Sequence, residues 1–358
     1  METPNSSLKL IEKIFLMSLH TLSPQNAAAV AELLQAQGFT ATLWMSPYSP
    51  KLWFYTCLVG LSGGQMPFPL IQAWQQGQAV LGVSFMQSDP FMTFRRYLTG
   101  FDVDASLENP LAIEVAFLEA LFQFNQKRGV RFILAELSPL NTERLNLLKH
   151  QGFQVAMHNA YFYVPKSLIE GGPESVEGET GLRQAGYKRV MSPHYAVVCD
   201  HYNQQLPVLW KQALSKLPQH FKSKSNVERW YLPLQGQRKT QVCGVLVEIK
   251  APVESSHVWN LWILAPLHQV VDAKGIITLF ARYIHTLDAQ AVIRLQVNPI
   301  QTALKEGVEA FLQEAVEEQS ICLIKELKAR PRSGIQLHVP TPQLGLDGAS
   351  PAFGMKAR

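Results

Sequence analysis

The chain of 358 residues is poor in cysteine, in long apolar runs and in charge of one sign. Its four cysteines, Cys57, Cys199, Cys243 and Cys322, lie far apart, with no C-x-x-C pair. That argues against a disulfide framework and against a cysteine-built zinc site. No stretch approaches ~18 uninterrupted apolar residues, so no membrane-spanning helix is expected. The first twenty residues carry acidic side chains and no long apolar core before a small-residue cleavage site, so they read poorly as a signal peptide. A reducing cytoplasm is the default expectation. Lysine and arginine outnumber aspartate and glutamate by 32 to 28, a net charge of +4, and the pI is about 8.8. The basic residues form only short clusters, such as Lys222 and Lys224. A nucleic-acid binder would show a concentrated stripe; these clusters read as a solvated face. H-E-x-x-H, the phosphate-binding G-x-x-x-x-G-K-[ST] loop and the dinucleotide fingerprint are all missing, and no metal is expected. The tryptophans are scattered and read as core or interface, not as a base-stacking platform.

What is present is globular. Hydrophobic residues make up 47% and charged residues 17%, and the length suits two or three domains. KIFLMSL (13–19) reads as a strand. Ser23, Pro24 and Gly38 bracket a helix with Ala27, Val30, Ala31 and Leu34 on one face. LWFYTCLVG reads as a strand, PFPLIQAWQQG as a short helix, and AVLGVSF (79–85) and FRRYLTGFDV as further strands. Asn109, Pro110 and Gly129 delimit a helix whose last turn carries Lys127 and Arg128. VRFILAEL is a buried-strand pattern. NTERLNLLKHQGF (141–153) is a helix, and AYFYVP closes the unit as a strand. Residues 166–181, polar and glycine-rich, read as a linker. The tail from 330 onward is rich in proline and glycine and reads as loosely held. The expected division is 1–165, a linker over 166–181, 182–329, and a tail over 330–358.

The two long segments look like copies of one unit. AVLGVSF at Ala79 aligns with QVCGVLV at Gln241. The helix 109–127 falls opposite 275–290, and RFILAELSP falls opposite VIRLQVNP. Three matches in one order at nearly constant spacing point to an internal α/β repeat.

The peptide 141–153 carries a family resemblance. Asn141, Leu147, Gly152 and Phe153 sit at the spacing of the late N-x-x-A-x-x-L-Y-x-x-x-G-F region of the GNAT (Gcn5-related N-acetyltransferase) superfamily. Arg144 stands at the Ala position and Leu148 at the Tyr position. The resemblance covers about 13–164 and, with Asn298 but no clear Gly-Phe, about 187–327. It implies α/β architecture: two tandem GNAT-like units with mostly antiparallel mixed sheets flanked by helices. It also implies acyl-CoA, acetyl-CoA above all, bound at a helix N-terminus by an R/Q-x-x-G-x-G/A loop. In the first copy Glu108, Leu111 and Ile113 stand at those positions, and Pro110 removes a donor. In the second, Gln269, Lys274 and Gly275 could meet phosphate, with Asp272 intruding. The family's general acid would be Leu148, which cannot serve. Glu136, Glu248, His268, Asp102 and Asp104 are placed to act as a base, although for each the simpler reading is structural or solvated.

Two function classes remain open. One is an N-acyltransferase that uses the second unit; related tandem folds also take other donors, such as aminoacyl-tRNA. The other, favoured because both phosphate loops depart from the pattern, is a non-catalytic protein-binding or assembly factor. A serine hydrolase through Ser62 in GLSGG is set aside, because Pro67 and Pro69 stand where its helix must follow.

Overall fold

The computed structural model describes residues 18–21, 69–76, 79–103, 109–167, 178–222, 224–235, 241–252, 257–266, 270–298, 300–312 and 317–327. The first half runs β1 (Ser18–Thr21), β2 (Pro69–Gln76), β3 (Ala79–Ser88), β4 (Arg95–Val103), α1 (Pro110–Lys127), β5 (Phe132–Leu137), α2 (Thr142–His150) and β6 (Gln154–Val164). Next come α3 (Gly178–Gln184), β7 (Lys188–Arg189), α4 (Tyr195–Gln204) and α5 (Lys211–Leu214), with 3-10 turns at Ser192–His194, Val208–Trp210 and Pro218–Phe221. The second half is β8 (Val227–Gln235), β9 (Gln241–Lys250), β10 (Val258–Leu264), α6 (Ala273–Leu287), β11 (Val292–Val297), α7 (Thr302–Phe311) and β12 (Glu317–Glu326).

The order β2-β3-β4-α1-β5-α2-β6 recurs as β8-β9-β10-α6-β11-α7-β12. Pairing recurs too. The first three strands of each set are antiparallel, and the fourth adds in parallel, β5 to β4 and β11 to β10. The aligned peptides occupy equivalent strands, β3 with β9 and β5 with β11.

The last strands are exchanged. The sheet order is β1-β2-β3-β4-β5-β12-β6-β11-β10-β9-β8-β7. β12, from the second half, lies between β5 and β6. β6, from the first half, lies between β12 and β11, and all three of these pairings are antiparallel. The halves therefore share one continuous mixed sheet of twelve strands rather than carrying a sheet each.

Local chemistry explains the helices. The Asn109 side chain accepts the Ala112 N–H at 3.3 Å, and Pro110 opens α1. Ile113, Phe117 and Leu121, four residues apart, are buried on one face. The Asn141 side chain accepts the Arg144 N–H at 3.2 Å. Gly152 then leaves α2 at φ 82°, a region that favours glycine, and Phe153 enters the core. Two expectations are corrected. Within PFPLIQAWQQG, Pro69–Gln76 form the strand β2, because they pair on both edges, with β1 and β3, and Gln72, Ala73 and Trp74 are all buried between the two faces. Gly178–Gly181, expected in the linker, begin α3, which buries Leu182 against the α6 side of the core. The expected elements within 22–68 and the tail lie outside the described residues.

The two faces of the sheet are covered differently. On one, α1 and α2 pack on Leu98, Ile133, Ala135, Ile321 and Leu323. α6 and α7 pack on the corresponding residues of β9, β10, β11 and β6. Strand alternation sends Phe132, Leu134, Met157, Cys322 and Ile324 to the other face. There the segment 190–221 lies across both halves as a roof, with Leu206, Ala213 and Leu214 over β5 and β12, and Val198, Cys199 and Phe221 over β8, β9 and β10. No helix among the described residues is long and apolar enough to cross a membrane.

Candidate functional site

Under the roof, on the exchanged strands, lies a cavity of about 250 Å³. Glu136 (β5), Asn159 (β6), Glu248 (β9) and Trp262 (β10) line it from the sheet, and Tyr202 and Lys216 line it from the roof. Both halves supply walls because the exchange brings β5 and β11 to either side of the central pair.

Three charged groups set its electrostatics. Glu136 accepts at Oε1 from the Tyr161 hydroxyl at 2.8 Å, the Asn159 amide at 3.3 Å and the Ser320 hydroxyl. Burial raises Tyr161 to about 12, so it stays a donor at neutral pH. Glu248 is paired with the Arg229 Nε at 2.6 Å. Lys216 is different. Its backbone is fixed by Asn203, which accepts the Lys216 N–H at 2.9 Å and donates to its carbonyl at 3.0 Å. Its ammonium sits over the rings of Tyr202, Phe221 and Trp262, at 4.3, 5.5 and 5.5 Å from their centroids. Burial lowers its pKa, with nearby Glu248 acting in the opposite sense. Tyr97, on the cavity wall, is pushed up to about 12 by burial.

The roof is held down by a buried clamp. Asp89 and Arg95 form an ion pair with both side chains almost fully buried. Arg95 also donates to the carbonyls of Ala213 and Ser215, each at 2.8 Å. The His220 Nε2–H donates to Asp89 at 3.0 Å, while its Nδ1 accepts the Leu217 N–H at 2.9 Å. Burial alone would raise the Asp89 carboxyl, but its bonds from His220, Arg95 and the Phe91 N–H hold it well below the usual carboxylate range. The turn between β3 and β4 is thereby tied to the roof.

The helix N-termini lie elsewhere. At α6, the Asp272 carboxylate accepts the Gly275 N–H at 2.8 Å. Lys274 extends over Phe311, 5.8 Å from its ring centroid. Gly275 and Lys274 are thus at the α6 N-terminus, away from the cavity-lining residues, and Gln269 and His268 lie outside the described residues. At α1, Asn109 caps the first turn. Parallel pairing stops at Leu98 with Ala135 and at Trp262 with Gln296. Just beyond the second stop, the Leu264 carbonyl takes the His201 Nε2 at 3.2 Å, and the Ala265 carbonyl takes the Gln301 amide.

Of the residues placed by sequence, the structure brings together Glu136 and Glu248. Asp104 and Ser62 fall outside the described residues, as does the Asp102 side chain. His194 is not in the cavity lining, and His201 is a buried carbonyl partner. The roof residues Lys216 and Tyr202 were not legible as a site. They follow no motif, and only their position opposite the sheet gives them a role. Among the described residues no group of three or more His, Cys, Asp or Glu could hold a metal ion.

No family model matches the sequence, and no curated protein matches it. Solved structures do. A tandem GNAT protein from the clavulanic acid biosynthesis pathway is similar over 87% of this chain and 99% of its own, at 10% identity and a TM-score of 0.49. A GCN5-related N-acetyltransferase from Kribbella flavida is similar over 87% of this chain and 71% of its own, at 10% identity and a TM-score of 0.49. A putative acetyltransferase from Salmonella typhimurium, solved with its cofactor acetyl-CoA, covers 40% of this chain and 82% of its own, at 14% identity and a TM-score of 0.30. These structures are of GNAT proteins, the superfamily that residues 141–153 resemble.

Proposed function

We propose that this chain is a GNAT-like binding protein that performs no acyl transfer from CoA. One observation carries the reading: the Asp272 carboxylate accepts the Gly275 N–H at the α6 N-terminus. A helix N-terminus attracts anions through its free N–H groups and its dipole. Here a fixed carboxylate already takes the Gly275 N–H and sits at the positive end of the dipole, and a pyrophosphate would approach it against like charge. At α1 the neutral Asn109 amide takes the Ala112 N–H and Pro110 offers none, which leaves fewer donors for a phosphate. The carbonyls at the end of β10 are also taken, by His201 and Gln301. A protein partner remains the favoured kind of ligand for the outer surface of the roof, where Val208 and Leu209 are 91% and 76% exposed.

The second reading is an N-acyltransferase. It is favoured by the convergence of Glu136 and Glu248, both candidate bases, on one cavity. Calorimetry with acetyl-CoA separates the two. The binding-protein reading expects no heat at high micromolar ligand. Micromolar binding that Gly275→Glu abolishes would overturn it and place a working acyl-CoA site at α6.

A further inference from the structure

The charges in the cavity are unevenly satisfied. Two arginine–carboxylate pairs stand near Lys216, Arg229 with Glu248 and Arg95 with Asp89, and each is balanced within itself. Lys216 is left over. Among the described residues its ammonium makes no hydrogen bond and no ion pair. Three aromatic rings hold it, and Asn203 fixes its backbone. Cation–π contact stabilises the charge but engages none of its N–H donors toward an acceptor. On the sheet side, Glu136 takes all three of its donors at Oε1, and Oε2 receives none from the described residues. One cavity thus presents an ammonium with donors that no described residue meets and an exposed carboxylate with one oxygen that no described residue meets, each positioned by its neighbours.

We infer that this cavity is a seat for a small zwitterion, whose carboxylate meets Lys216 and whose ammonium meets Glu136. A volume of about 250 Å³ admits a molecule of amino-acid size. Either group alone could serve a singly charged ligand. Only a molecule carrying both charges uses both, and it leaves the net charge of the cavity unchanged. Glu136 belongs to the first half and Lys216 to the roof that precedes the second, so the ligand would bridge the halves at the strand exchange.

The inference names a ligand for the binding role proposed above and rests on that role only in part. Zwitterion binding together with acetyl-CoA binding would keep the seat and remove the non-catalytic reading. Calorimetry on the full chain would use L-glutamine, 4-aminobutyrate and 6-aminohexanoate, with propionate and propylamine as singly charged controls. At least one zwitterion should bind more tightly than both controls. Lys216→Met and Glu136→Gln should each weaken it by about tenfold or more, while Lys216→Arg should retain part of the affinity. Circular dichroism would establish that the variants fold. If no zwitterion binds the wild-type protein, if the controls bind equally well, or if both variants bind as the parent does, the inference falls.

Discussion

Asp89 shows how much one buried carboxylate can organise. It accepts the N–H groups of Phe91 and Met92, pairs with Arg95 and receives His220. Replacing it with asparagine leaves the Arg95 guanidinium buried without its counter-charge, a change that costs about 3 to 5 kcal/mol. The pH dependence follows from its lowered pKa. A carboxylate held below its unfolded value of about 4 contributes stability that is complete above that pH and is lost as pH falls through the folded value. Urea midpoints of wild type and Asp89→Asn should therefore differ widely at neutral pH. The gap should narrow as the pH is taken below about 4. An unchanged gap would mean that folding does not lower the Asp89 pKa. Nothing in the sequence marks this residue: its partners lie 6 and 131 positions away.

At the scale of the element, the start of α6 poses a balance of two small terms. The Asp272 cap contributes about 1 kcal/mol. Glycine at 275 costs about 1 kcal/mol against alanine in a helix, and a Cβ there would press on the Asp272 carboxylate. Gly275→Ala alone should be close to neutral in thermal denaturation, its propensity gain offset by a disturbed cap. Asp272→Ala should lower the melting temperature, and adding Gly275→Ala in that background should recover part of the loss. A helix over 275–290 is expected from sequence; that it begins at Ala273 under an Asp272 cap is seen only in the structure. That Gly275 is engaged by the cap, and so withheld from a phosphate, depends on the geometry of the first turn. Likewise Asn141 and Gly152 bounded α2 correctly, because capping is local. β2 escaped the same reasoning, since pairing on two edges outweighs the helical look of LIQAWQQ.

At the scale of the whole molecule, the exchange of β6 and β12 governs cooperativity. β5 has β12 as its neighbour, and β11 has β6. A chain stopped after Leu312 would lose β12, exposing an edge of β5 and removing Ile321 and Leu323 from the core under α1. Such a truncation should destroy ordered structure in the first half as well as the second, seen as loss of dispersed amide signals throughout the NMR spectrum. Retention of a folded first half would show that the exchanged strand is dispensable. For the intact chain, tryptophan fluorescence and circular dichroism should follow one coincident urea transition, since Trp74 and Trp230 lie in opposite halves of the same sheet.

The sequence by itself determined the α/β class, the caps of the main helices and the matching order of elements in the two halves, because each is written in short-range spacing. It also placed Glu136 and Glu248 on strands. Only the tertiary structure decided that the final strands change partners, since antiparallel pairing of an apolar strand is satisfied equally well by either neighbour. It alone decided that Lys216 meets three aromatic rings, because that meeting requires the roof to cross a sheet built from residues before and after it. Local physics is legible residue by residue, whereas the site arises where segments far apart in the chain share one cavity.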